Sequence, residues 1–367
     1  MKQGWEMKKL GDVGRVSMCK RILKKQTSQI GDIPFYKIGT FGKIPNAFIP
    51  KEVYEEYRSK YSFPKKGDIL LSASGTIGRR VIYDGKPAYF QDSNIVWIDN
   101  DEKKVLNEYL YKFYGFCNWN PSKGATISRL YNDDLRKIPI PIPHLPKQKR
   151  IVAILDKAFA AIAKAKTNAE QNLENAKELF ESYLQGVFKN KGAGWEEKRF
   201  DETCVLQRGF DLPTRLRNKG DFPLVSSNGI TDRVDQFKVK APGVTTGRSG
   251  TIGNVHFIEE DYWPLNTALY IKEFHGNHER CIYYFLRQFD LSKFSSGAGV
   301  PTLNRNNVHG EMVWFPKLLR TQQTIVKKLD KLSAETRKLE ANYQQKIENL
   351  EELKKSVLQK AFNGELN

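Results

Sequence analysis

The chain has 367 residues, of which 40% are hydrophobic and 12% aromatic. That supplies the cores of two or three domains and excludes a disordered chain. With 60 Lys and Arg against 42 Asp and Glu, the formal charge of +18 favours a polyanionic partner, nucleic acid above all, with ordinary solvating lysine as the alternative.

Cys19, Cys117, Cys204 and Cys281 are far apart and form no CxxC pair, which argues against a zinc site and a disulfide framework. Residues 1–5 have no apolar core, so no signal peptide is expected, and no apolar run is long enough to span a bilayer. A reduced, cytoplasmic protein is the simplest expectation.

Residues 1–146 read as a β-rich stretch. Its strand-like runs are Asp68–Leu71, Val81–Tyr83 and Asn94–Ile98, punctuated by Gly, Pro and Asp. Between 102 and 116 the pattern becomes helical, with Val105, Leu106, Tyr109, Leu110 and Phe113 on one side. Alternating prolines at 139, 141 and 143 rule out helix and suit an extended edge segment.

Residues 148–188 read as one helix of roughly 60 Å. Its heptad stripe runs Ile151, Leu155, Ala158, Ile162, Ala165, Ala169, Asn172, Ala176, Leu179 and Tyr183. A single apolar stripe on so long a helix calls for a partner helix. Residues 189–194 form a Gly-containing linker, and 195–320 return to the β-rich type, with Val255–Ile258 and Ala268–Ile271 as strands.

A second rod and tail follow over 321–367. Its stripe is Ile325, Leu329, Leu332, Thr336, Leu339, Tyr343, Lys346, Leu350, Leu353 and Val357. An alanine-rich stripe facing a leucine-rich one predicts an intramolecular antiparallel pair. Asn172 and Lys346 are equivalent polar stripe positions; they either set the register from a buried place or mark a wet surface.

The chain repeats itself. Trp5-Glu6 returns as Trp195-Glu196, Ser74-Gly75-Thr76-Ile77-Gly78 as Ser249-Gly250-Thr251-Ile252-Gly253, Leu155-Asp156-Lys157 as Leu329-Asp330-Lys331, and Leu184-Gln185 with Phe188 as Leu358-Gln359 with Phe362. The unit is far longer than a solenoid repeat of roughly 20–50 residues. The expected architecture is α+β: two β-rich domains alternating with two long helices that pair as an antiparallel coiled coil, with pseudo-twofold symmetry. Two similar modules at the ends of a rod suit a split site on DNA.

Catalytic motifs are missing. The chain has no Asn/Asp-Pro-Pro-Tyr/Phe, G-x-S-x-G, H-E-x-x-H or Walker A sequence, and Asn120-Pro121-Ser122 reads as a turn. What remains is binding chemistry. In the repeated Ser-Gly-Thr-Ile-Gly, glycines permit close approach, hydroxyls can meet phosphates or base edges, and arginines flank the loop; a tight folding turn is the other reading. A second repeated feature pairs Gly124-Ala125-Thr126-Ile127-Ser128-Arg129-Leu130 with Gly299-Val300-Pro301-Thr302-Leu303-Asn304-Arg305, where Asn and Arg can read adenine and guanine. The candidate DNA contacts are Lys20, Arg21, Ser74, Thr76, Arg79, Arg80, Thr126, Ser128, Arg129 and Asn132 in the first half. In the second half they are Arg208, Arg215, Arg248, Ser249, Thr251, Thr302, Asn304 and Arg305.

In order and duplication these motifs resemble the DNA-specificity subunit of Type I restriction–modification systems. The resemblance rests on Trp5–Val13, Gly67-Asp68-Ile69-Leu70-Leu71 leading into Ser-Gly-Thr-Ile-Gly, the Ile-Pro repeat before residues 147–156, Trp314-Phe315-Pro316 and Thr321–Val326. It implies target recognition domains at 1–146 and 195–320, spacer helices beginning at 147 and 321, and one half-site of a bipartite sequence read by each domain. It also implies two modification subunits that bring S-adenosylmethionine and methylate adenine N6, and an ATP-dependent restriction subunit. The chain itself would make no covalent change and hold no cofactor or metal. The family usually has Glu-Gln where this chain has Lys147-Gln148 and Thr321-Gln322, which keeps both glutamines. Two other readings stay open: a protein-assembly adaptor indifferent to DNA, and a nuclease using Asp68, Asp84 and Asp92.

Overall fold

The structure, a computed structural model, describes residues 4–119, 128–297 and 301–366. The first repeat opens with β1 (Trp5–Lys9), α1 (Leu10–Val13), β2 (Arg15–Ser17), β3 (Ile33–Tyr36), β4 (Phe48–Ile49) and α2 (Lys51–Lys60). It continues with β5 (Ile69–Ser72), β6 (Arg80–Ile82), β7 (Tyr89–Phe90), β8 (Ile95–Asp99), α3 (Asn107–Tyr114), α4 (Asn132–Lys137) and β9 (Pro139–Pro143), and α5 (Leu145–Lys189) follows.

The second repeat has β10 (Trp195–Arg199), α6 (Phe200–Thr203), β11 (Val205–Arg208), β12 (Lys219–Ser226), β13 (Gly229–Val234), β14 (Gly243–Gly247), β15 (Val255–Ile258), β16 (Trp263–Pro264) and β17 (Ala268–Glu273). It ends with α7 (Glu279–Gln288), β18 (Ser295–Ser296), β19 (Thr302–Leu303), α8 (Arg305–His309) and β20 (Met312–Pro316), before α9 (Leu319–Phe362).

The two repeats share a topology. Each has a four-stranded antiparallel sheet, β2-β8-β5-β6 or β11-β17-β14-β15, and a three-stranded sheet, β4-β3-β7 or β13-β12-β16. In both three-stranded sheets the last pairing is parallel. They differ in detail: the first repeat inserts α2, and the second builds the long hairpin β12–β13.

A two-stranded ribbon closes each repeat. β1 pairs antiparallel with β9, and β10 with β20. Prolines 139, 141 and 143 lack an N–H, so only Ile140 and Ile142 can donate from β9. Those two isoleucines are buried, and Val313 and Phe315 take the same places in β20.

Two compact units emerge, 1–168 with 346–367, and 169–345. In the first unit the start of α5 packs on the end of α9, so the helices run antiparallel. Ile151, Val152 and Leu155 share a core with Leu358, Ala361 and Phe362. Phe362 seats its ring against Tyr109 and Phe113, and Lys166 bonds Glu351 across the helices at 2.5 Å. In the second unit Phe180, Leu184 and Phe188 of α5 meet Val326 and Leu329 of α9 over Phe200 and Phe285.

The stripes differ from strict heptads. On α5 the buried positions run 148, 151, 152, 155, 162, 169, 176, 180, 184 and 188, while Leu179 and Tyr183 are 52% and 43% exposed. A straight helix drifts relative to a seven-residue repeat, and beyond Ala176 the contact face has moved on by one position. Leu339 and Leu353 on α9 are also exposed. Asn172 and Lys346 are exposed, so they do not set the register from a buried place; the wet-surface reading stands.

Cys19, Cys204 and Cys281 are buried free thiols, and Cys117 is half-buried and free. Burial pushes the Cys19 and Cys281 thiols up to about 12, which leaves them unreactive. No helix among the described residues is long and apolar enough to cross a membrane.

Candidate nucleic-acid interface

The Ser-Gly-Thr-Ile-Gly sequence is the loop between β5 and β6, and again between β14 and β15. Gly75 and Gly78 have φ of 66° and 81°, and Gly250 and Gly253 have 83° and 88°. Glycine is required for this backbone, because a Cβ is strained there. At Gly78 a Cβ would also strike the Trp119 indole.

The two repeated sequence features, 55 residues apart in the first half, meet in space. Ser74 bridges to Arg129, Leu130 N–H donates to Ala73 O at 2.8 Å, and Gly75 N–H to Ser128 O at 3.2 Å. In the second half Ser249 bridges to Thr302, and Leu303 N–H donates to Arg248 O at 2.7 Å. This register makes Arg129 the counterpart of Thr302, and Ala73 the counterpart of Arg248. Each loop pair therefore carries one arginine, but on opposite strands of the pair.

A third segment backs each glycine loop. Ala73 N–H donates to Asn94 O, and Ser74 Oγ to Asn94 Oδ1 at 2.8 Å. Nearby, Arg21 is paired with Asp92 at 2.8 Å. In the second repeat Arg248 N–H donates to Thr267 O, and the Arg248 guanidinium donates to Asn266 O at 3.2 Å. Asn266 in turn bonds Asp211, which holds Arg208 at 3.0 Å. Arg21 and Arg208 are thus each held by a carboxylate near the loop pair, but from different segments: Asp92 precedes β8, whereas Asp211 follows β11.

A fourth segment joins them from the smaller sheet. The Arg79 guanidinium donates to Phe41 O at 3.0 Å, on the connection between β3 and β4. The Thr251 hydroxyl donates to Asn228 at the tip of the β12–β13 hairpin. Sequence reading misses Asn94, Asn228 and Asn266; a signal for Asn94 was its place directly before β8, whereas its counterpart by register is Thr267, the residue after Asn266.

The remaining expected contacts fall into four groups, with Thr126 apart from them. Thr76 and Ser128 are exposed at the loop pair, and the Arg129 guanidinium lies 5.7 Å over the Tyr131 ring. Lys20 and Arg215 are exposed away from the loop bridges, Lys20 over Tyr61 at 4.9 Å and Arg215 in the short turn Thr214–Leu216. Arg80 and Arg305 turn into their own domains: Arg80 lies 4.6 Å over Tyr111 of α3, and Arg305 bonds Gln207 and Leu206 O of β11. Asn132 is the first residue of α4, and Asn304 caps α8 by accepting Asn306 N–H at 3.1 Å. Thr126 lies outside the described residues.

The carboxylates considered for a nuclease are used locally. Asp68 accepts Lys65 N–H at 2.8 Å, Asp84 accepts Lys86 N–H at 3.0 Å, and Asp92 holds Arg21. Among the described residues no group of three or more His, Cys, Asp or Glu could hold a metal ion.

Burial disfavours the charged form of two histidines in the second repeat. Burial lowers the His256 pKa below its ordinary value, against the opposing hydrogen bond with Ser227. Burial also lowers that of His309, whose Nε2 accepts Leu206 N–H at 3.0 Å. In the unfolded chain both titrate near 6.5. Their stabilising effect is complete above that pH and is lost as pH falls through the depressed folded values. The unfolding midpoint of the transition reported by the second repeat is expected to drop between pH 7.5 and 5.5. Thermal unfolding followed at both pH values checks this, and a His256→Phe/His309→Gln double variant should flatten the dependence.

Comparison with known proteins shows the family and the fold. The family model for the Type I restriction modification DNA specificity domain matches residues 2–174 and again 192–349. The chain belongs to that family, with the domain present twice. It is 59% identical over 176 residues to a putative type I restriction enzyme specificity subunit, S.HindORF215P, of Haemophilus influenzae; the match covers 48% of this chain and 46% of that relative. It is 24% identical over 416 residues to the MjaIX specificity subunit of Methanocaldococcus jannaschii, covering 99% and 93% of the two chains.

Among solved structures, a chain from a study of complex assembly and conformational transition in the type I R-M system has the same fold. It has a TM-score of 0.79 at 16% identity, over 99% of this chain and 98% of that one. The HsdS subunit of Thermoanaerobacter tengcongensis matches with a TM-score of 0.63 at 17% identity, over 100% and 98%.

Proposed function

We propose that this chain reads DNA for a Type I restriction–modification complex, each repeat recognising one half of a bipartite site. The observation that carries the reading is the loop pair, built twice on the same backbone but with its arginine on opposite strands. Equivalent scaffolds with different side chains suit two different half-sites. The contact set we favour is Thr76, Ser128 and Arg129 in the first repeat, and Arg248, Ser249, Thr251 and Thr302 in the second. Arg21, Arg79 and Arg208 flank it and suit phosphates. The 59% match to the Haemophilus relative covers about half of each chain, which also fits recognition halves that vary separately.

The chain itself performs no chemistry. Two modification subunits supply S-adenosylmethionine and methylate adenine N6, and a restriction subunit cleaves. The complex acts in the cytoplasm. Residues 1–146 and 195–320 are the recognition domains, 147–188 and 321–367 the spacer helices with the tail, and 189–194 the linker. Leu179 and Leu353, equivalent and both exposed, suit docking of the modification subunits.

Counterion release makes such binding salt-dependent. Affinity of the chain with its modification subunit for genomic duplex is expected to fall steeply between 50 and 200 mM salt, by about 10³-fold or more if six or more phosphates are neutralised. Fluorescence anisotropy across that range tests it; binding that ignores salt would contradict the reading.

A further inference from the structure

Two sequence features repeat at the start of the long helices and play no part in the loop pairs: a glutamine, and the aspartate of Leu-Asp-Lys. Gln148 and Gln322 lie in the first turns of α5 and α9 and are 0% and 1% exposed. Gln148 Oε1 accepts Leu106 N–H at 2.9 Å, and its Nε2 donates to Lys104 O and Pro143 O, both at 2.8 Å. Gln322 Oε1 accepts His278 N–H at 2.7 Å, and its Nε2 donates to Asn277 Oδ1 at 2.7 Å and Pro316 O at 2.9 Å.

The pattern is the same twice. Leu106 and His278 are the N-caps of α3 and α7, and Pro143 and Pro316 end β9 and β20. Each amide therefore joins three segments: the ribbon entering the long helix, the cap of the domain's own helix, and the long helix itself. Only a neutral primary amide supplies one acceptor and two donors at one point; a carboxylate would lack the donors and bury a charge.

Asp156 and Asp330, eight residues further along, form a second tie. Lys112 of α3 bonds Asp156, while Arg280 and Tyr284 of α7 bond Asp330 at 2.8 and 2.5 Å. The partners differ between repeats, yet the tie recurs from the domain helix to the same helical position. Residues eight apart lie near one face of a helix, so the two ties hold α3, or α7, against its long helix along more than two turns.

We infer that Gln148 with Asp156, and Gln322 with Asp330, are positioning residues that fix the tilt of each recognition domain on its spacer helix, and so the number of base pairs the protein demands between half-sites. The inference rests on the bipartite reading above. It assigns these residues no contact with DNA.

The test uses the full chain with its modification subunit in a host whose adenine methylation is mapped by long-read sequencing. Variants are Gln148→Leu, Gln322→Leu and, because the aspartates are more exposed, Asp156→Ala and Asp330→Ala. The half-site sequences should persist in every variant, while methylation spreads several-fold to sites whose gap is one base pair longer or shorter. A gap as strict as that of the unaltered chain in all methylating variants would overturn the inference, as would a changed half-site. Should the glutamine variants fail to fold, the aspartate pair decides. Failure of the bipartite reading is recognised separately, because the unaltered chain would then give no two-part motif.

Discussion

Substituting Arg129 by alanine is expected to relax recognition of one half-site and leave the other intact; Arg248→Ala should do the reverse. Arg129 sits on a strand whose backbone is pinned on both sides by Ser128 O and Leu130 N–H, so its Cα is held at a set depth. Its guanidinium lies over Tyr131, which keeps the planar fork oriented. Arg248 is pinned equally, through its N–H to Thr267 and its carbonyl to Leu303, but on the other strand of the pair. A pre-oriented guanidinium that bonds a guanine edge is worth about 1–3 kcal/mol of discrimination, roughly ten- to hundredfold in affinity. Competition binding with duplexes altered in one half at a time measures it. Arg129→Lys should recover phosphate attraction but little discrimination, since an ammonium lacks the fork. An equal loss on both half-sites for either variant would mean that these arginines only hold the backbone of the DNA.

A matched deletion of one heptad from each long helix, residues 163–169 and 337–343, is expected to shorten the demanded gap by about three base pairs. Seven residues remove about 10.5 Å of helix, and base pairs rise 3.4 Å. Seven residues are also nearly two full turns, so the packed faces stay aligned to within about 20°. Removing three residues instead would turn the faces away from one another and should abolish methylation. Mapping the methylated motif in cells expressing each deletion reads both results. Unchanged half-sites with a shorter gap support the helices as the ruler; new half-sites with the old gap would refute it.

Much of this was legible in the sequence, for identifiable reasons. The strands around Ile69, Ile95 and Ala268 carry dense apolar residues bounded by turn formers, and the long helices have no proline beyond the first turn, so local pattern sufficed. The pairing of Ser74 with Arg129 was beyond it, because a bridge across 55 residues leaves no periodic trace. Arg80 and Arg305 looked as available as Arg129, but the positions of Tyr111 and Gln207 relative to them are set by tertiary packing. The end of the α5 stripe was misread for a different cause: heptad counting ignores helical drift, and this placed Leu179 and Tyr183 inside when Phe180 and Leu184 are the buried pair. Gln148 and Gln322 were visible as repeated residues, but their burial and their three bonds each were not.

The most direct measurement is the adenine methylation map of the host genome with this gene intact and deleted. Deletion is expected to remove one motif, made of two short defined sequences separated by a fixed unspecified gap. Loss of a single uninterrupted motif, or an unchanged map while the partner methyltransferase is expressed and active, would contradict it.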